Sequence, residues 1–116
     1  MNDLNERLFK FAVRVIKYLR TLPNTSEYSV IRYQLTKSST SSGANYEEAQ
    51  AGSSRADFSN KTSISLKEMR ESNYWLRVIK GISEKNAEDK ELEYLIQESK
   101  ELKNILGSIV SKVRKK

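Results

Sequence analysis

None of the 116 residues is a cysteine or a histidine, and there is one proline, Pro23, with four glycines. Without cysteine there are no disulfide staples, thiolate nucleophiles or thiolate metal ligands. Without histidine there is no imidazole for acid-base chemistry or zinc ligation. Most enzyme mechanisms lose an essential part, and a non-enzymatic protein without cofactors is expected. No apolar run approaches the roughly 18 residues of a membrane span. Asp3 and Glu6 stand where a secretory signal has its basic region, so a cytoplasmic protein is expected. Scarcity of proline and glycine also leaves few points at which a long helix must stop.

What is abundant is charge. Lysine and arginine number 21 against 15 acidic residues, a net +6 with a pI near 9.5, so the surface attracts polyanions. The excess sits mainly on the first and third of four segments. Those segments are separated by three breaks: Leu22-Pro23-Asn24, Gly52-Ser53-Ser54, and Gly81 to Asn86. Each break carries a helix-start signal. Asn24 with Glu27 has capping-box spacing, Ser53 or Ser54 caps the third segment, and Asn86 with Asp89 offers a cap and a first-turn acid for the fourth.

Between the breaks, apolar and small residues recur in steps of three and four, placing one stripe on each helix. The stripes are Leu4, Leu8, Phe11, Val15, Tyr18, Leu22; Tyr28, Ile31, Leu35, Ser38, Ser42, Asn45, Ala49; Phe58, Thr62, Ser65, Met69, Ser72, Leu76, Ile79; and Leu92, Leu95, Ser99, Leu102, Leu106, Ile109, Val113. Short connections force neighbours antiparallel, so one domain over residues 1–116 is expected, an all-α up-and-down four-helix bundle with helices over roughly 3–22, 25–50, 54–81 and 87–114. The serines in these stripes have three readings. They are close-packed with hydroxyls bonded back to the preceding turn, or form a buried functional site, or face another subunit.

Several residues are candidates for function. Arg7, Lys10, Arg14 and Lys17 follow one another in steps of three and four, with Arg20 nearby. They form a basic stripe able to neutralise nucleic-acid phosphates, or a solvated face paired with acids of a neighbouring helix. Lys112, Arg114, Lys115 and Lys116 are a second cluster, suited to a helix C-terminus and to non-specific polyanion contact. Tyr74 and Trp75 are aromatics that either stack RNA bases or pack in the core or a subunit interface. Glu68 and Glu71 lack the histidine that a di-iron bundle needs. Phe9, Val13, Trp75 and Val78 are apolar edges in excess of one bundle core and mark an oligomer interface. No metal site is expected.

The run Ile64-Ser65-Leu66-Lys67-Glu68-Met69-Arg70-Glu71-Ser72-Asn73-Tyr74-Trp75-Leu76-Arg77, with Gln34-Leu35-Thr36-Lys37-Ser38-Ser39, Ala44-Asn45, Asp57-Phe58 and Leu95-Ile96-Gln97-Glu98-Ser99-Lys100-Glu101-Leu102, resembles the four-helix bundle proteins named for the intervening sequences of 23S ribosomal RNA genes. The resemblance covers nearly the whole chain. It departs at Ser42, where the family has an aliphatic residue, and at Glu47 and Ala49. It implies a ring-like homopentamer. It also implies similarity in fold to the basic accessory proteins of diversity-generating retroelements, which work with a reverse transcriptase and nucleic acid. Two functions follow as expectations: an oligomeric accessory protein binding RNA or DNA through basic residues, or a scaffold oligomer whose partner is another protein.

Overall fold

Apolar side chains every three or four residues need a shared dry interior, and four such stripes meet in a bundle. The computed structural model describes residues 3–52, 54–83 and 88–114. Its elements are α1 (Asp3–Leu19), α2 (Ser26–Ala51), α3 (Arg55–Ile82) and α4 (Lys90–Arg114), with no strand among the described residues. Each helix packs on the next, α4 returns to α1, and α1 lies diagonally across from α3. The bundle is 48 Å long and about half as wide. No described helix is long and apolar enough to cross a membrane.

Helix ends follow local chemistry more than apolar spacing. α1 stops at Leu19, three residues short of the expected Leu22, in a tightened turn where Thr21 N donates to Tyr18 O. The Arg32 guanidinium of α2 donates to the carbonyls of Leu19 (3.1 Å), Leu22 (2.7 Å) and Pro23 (3.0 Å). A cation thus satisfies the orphan acceptors at the negative end of α1. Thr25, rather than Asn24, caps α2 by accepting from Tyr28 N, and Ser54 caps α3 by accepting from Asp57 N. α4 begins later than residue 87 because Asp89 is its cap, its carboxylate accepting from Leu92 N at 3.1 Å. Asn86 and Ser53 lie outside the described residues.

The core holds Leu8, Phe11, Val15, Leu35, Met69, Leu76, Leu95, Leu102 and Leu106, all buried. Five members of the expected stripes, Leu22, Asn45, Phe58, Ile109 and Val113, are only half-buried, and at two of them a neighbour takes the core position. Tyr46 is buried in place of Asn45, whose amide bonds back to Ser41 O at 2.9 Å, and Val110 is buried more deeply than Ile109. Each correction shifts the stripe by one residue, as the 3.6-residue period requires of a pattern extrapolated in whole steps.

Ser38, Ser42, Ser65 and Ser72 are fully buried where α2 meets α3. Ser38 and Ser72 hydroxyls lie 2.8 Å apart. Ser42 Oγ donates to Ser65 O at 2.9 Å while Ser65 Oγ donates to Ser42 O at 2.7 Å. A side-chain oxygen that reaches the neighbouring backbone sets the two axes close together, which a leucine there would prevent. Close packing is the reading that holds for these serines, but the hydroxyls bond across the helices as well as back along them.

Candidate nucleic-acid interface

A cation is available to a phosphate only where the fold leaves it without a carboxylate, so the basic residues divide by the groove they occupy. In the α1/α4 groove, Arg7 donates to Glu98 through Nε (3.0 Å) and Nη2 (2.7 Å), and also to Glu101 at 3.2 Å. Arg14 makes the same two-pronged contact with Glu91, at 3.0 and 2.6 Å, and its guanidinium lies 3.7 Å from the centre of the Tyr94 ring. Hydrogen bonding to Glu98 for Arg7, and to Glu91 for Arg14, holds both above their ordinary pKa against some desolvation. Glu101 is lowered by hydrogen bonds from Gln97 and then from Arg7.

Two members of the α1 basic stripe are therefore engaged with α4. A planar guanidinium in a two-pronged contact is the better-defined form of ion pair. Lys10, Lys17 and Arg20 are exposed and form no ion pair among the described residues. Lys112 is exposed, Arg114 reaches Ser63 Oγ at 3.4 Å, and Lys115 and Lys116 lie outside the described residues.

The α3/α4 groove differs. Lys67, Arg70, Arg77 and Lys100 are exposed along it, Lys103 is half-buried in it, and Lys80 pairs with Glu93 at 2.9 Å. Arg77 Nε donates to Asn73 Oδ1 at 2.9 Å, and buried Asn73 donates in turn to Ser99 Oγ at 2.9 Å and Ile96 O at 3.3 Å. Composition and spacing single out the α1 stripe but miss this group, because its members come from two helices. The signal that locates it is the register fixed by Asn73–Ser99.

The four expected interface residues fall on two diagonal helices. Phe9 is 60% exposed and, with Val13, edges a groove of about 390 Å³ between α1 and α2 whose lining includes Ala12, Gly43 and Ala44. Trp75 and Val78 are half-buried on α3 against the core. Trp75 Nε1 donates to Glu71 at 3.2 Å, and its ring meets Tyr74 edge-on with centroids 5.3 Å apart. Glu68 on the same side is raised by burial and then by Glu71. Among the described residues no group of three acidic side chains is arranged to hold a metal ion.

The family model described as 23S rRNA-intervening sequence protein matches residues 2–108. A crystal structure of a protein with unknown function from the S23 ribosomal protein family of Bacteroides thetaiotaomicron VPI-5482 is similar at 34% identity and TM-score 0.80, covering 92% of this chain and 97% of that one. No curated protein matches.

Proposed function

We propose that this chain, which belongs to the 23S rRNA-intervening sequence protein family, is a non-enzymatic oligomeric accessory protein that binds nucleic acid, RNA foremost, through its basic surface. The observation that carries the reading is uncompensated charge. Ion pairs among the described residues occupy Arg7, Arg14 and Lys80, while most other lysines and arginines stay exposed in a chain of net +6. A surface of that kind gathers phosphates and releases their counterions. The test is fluorescence anisotropy of a labelled structured RNA and a DNA duplex with the purified protein at low salt. Saturable binding that salt weakens supports the reading. Absence of binding favours a scaffold whose partner is a protein, a reverse transcriptase being one such partner.

The oligomeric part of the proposal draws on where the apolar edges fall. Phe9 and Val13 on α1 and Trp75 and Val78 on the diagonal helix α3 cannot form one self-complementary patch. Two different patches on opposite sides suit a head-to-tail contact, which closes into a ring when the rotation per subunit permits, a homopentamer being the expected form. Combining Val13→Ser with Trp75→Ser is expected to reduce the solution mass to a smaller species by light scattering. An unchanged mass contradicts this placement of the interface.

A further inference from the structure

We propose that the α3/α4 face is the phosphate-binding surface of this protein, with Tyr74 as its base-stacking platform, and that the α1 stripe is not. The inference rests on the nucleic-acid reading above and adds where the contact is made. Two of the five cations on or next to α1 have carboxylate partners, which leaves Lys10, Lys17 and Arg20 unpaired there among the described residues, and Arg32 on α2 has carbonyl partners. Arg7 and Arg14 are held by Glu91, Glu98 and Glu101, and Arg32 caps α1. Along α3/α4, Arg70, Arg77, Lys100 and Lys103 form no ion pair among the described residues, Lys67 stands beside Glu68 without a direct bond to it, and Glu93 is already taken by Lys80, so this groove gathers cations from two helices around one exposed ring.

Helix geometry places these side chains together. Leu66 packs at Gly107, Asn73 bonds Ser99, and Lys80 pairs with Glu93, so the two antiparallel helices are in register along this length. Arg70 then stands level with Lys103, and Tyr74 level with Lys100. Arg70, Tyr74 and Arg77 follow in steps of four and three and share one edge of α3. From Lys67 to Arg77 the row spans about 15 Å at 1.5 Å per residue, and phosphates of one strand recur about every 3.4 Å of duplex axis, so several phosphates lie within reach.

Arg77 is braced rather than free. Its Nε is held by Asn73, which is 6% exposed and anchored to α4, so the outer N–H groups of the guanidinium are presented at reduced entropic cost. Tyr74 is 51% exposed among these cations, with the Arg77 guanidinium 5.8 Å from its ring centre. An exposed ring inside a basic row is the pairing that single-strand binders use, because every base has a face to stack.

The experiment compares three full-length variants in anisotropy titrations against a labelled single-stranded RNA and a DNA duplex, with thermal melts as the folding control. The first is Arg70→Gln with Arg77→Gln and Lys100→Gln, and the second is Lys10→Gln with Lys17→Gln and Arg20→Gln. The third is Tyr74→Ala. The α3/α4 variant is expected to bind about tenfold or more weakly and to lower the salt slope by about 2 to 3, while the α1 variant stays near wild type. Tyr74→Ala is expected to lose about five- to tenfold on the single strand with the duplex nearly spared. Loss confined to the α1 variant, or equal loss in both, overturns the assignment while leaving nucleic-acid binding intact. Unchanged single-strand affinity in Tyr74→Ala removes the stacking role. No binding by the wild-type protein sinks the nucleic-acid reading and this inference together.

Discussion

Ser42→Leu is expected to lower the unfolding free energy by about 3 kcal/mol or more, the cost of forcing extra methylenes into a filled interior. Ser42 is fully buried, and its hydroxyl touches the backbone oxygen of Ser65 at 2.9 Å, so α2 and α3 approach too closely there for a branched chain. A leucine must push the helices apart, and it does so on the seam that also carries the Ser38–Ser72 pair. In a chain of this size the melting temperature should fall by roughly 15 °C. Removing both hydroxyls together, Ser42→Ala with Ser65→Ala, keeps the close approach and leaves no orphaned side-chain donor, so a loss of only about 1 kcal/mol is expected. Denaturant titration of the two variants checks the account. A Ser42→Leu protein as stable as wild type would show that the close approach contributes nothing.

Asp89→Ala is expected to cost about 2 to 4 kcal/mol, because it removes two unrelated contacts at once. The carboxylate caps α4 through Leu92 N and accepts the Tyr18 hydroxyl at 2.7 Å, and that tyrosine is only 6% exposed. Asp89→Asn keeps one oxygen for Leu92 N but puts an NH2 where Oδ2 accepts from Tyr18, so it should lose less than Asp89→Ala by retaining the cap while removing the tyrosine's acceptor. A pH dependence accompanies it. Burial, then the hydrogen bond to Asp89, raises the Tyr18 pKa above its ordinary value. A raised folded pKa means that stabilisation is complete below the unfolded value of about 10 and fades as pH climbs above it. The protein should therefore lose stability above that pH, and Tyr18→Phe should remove this limb. Equal alkaline loss in Tyr18→Phe would assign it to other groups.

Four helices, their order and most of their buried stripe were legible because apolar periodicity is a local signal and the breaks fall at Pro23, at Gly52 and just past Gly81, where α3 runs one residue further to Ile82. Helix ends were less so. Arg32 ends α1 from another helix, ten residues beyond Leu22, and Asp89 takes the cap that spacing assigned to Asn86. Steps of three and four also cannot carry the phase without drift, which is why Tyr46 and Val110 displaced Asn45 and Ile109 in the core.

The candidate site was legible only as a total of charge. Arg7, Lys10, Arg14 and Lys17 stand out because they belong to one helix, yet whether a cation is free depends on what the adjacent helix brings. Glu98 lies 91 positions from Arg7 and Glu91 lies 77 from Arg14, separations at which spacing says nothing. The same limit hid Arg70, Arg77 and Lys100, whose common groove exists only once Asn73 and Ser99 have set α3 against α4.

The most direct test of the account is the salt dependence of wild-type affinity for single-stranded RNA, followed by anisotropy at fixed pH. Five cations per protomer on the α3/α4 face that form no ion pair among the described residues predict that log affinity falls linearly with log salt, with a slope of about −3 to −4 per bound protomer. Binding that ignores salt, or no binding even at low salt, would contradict it.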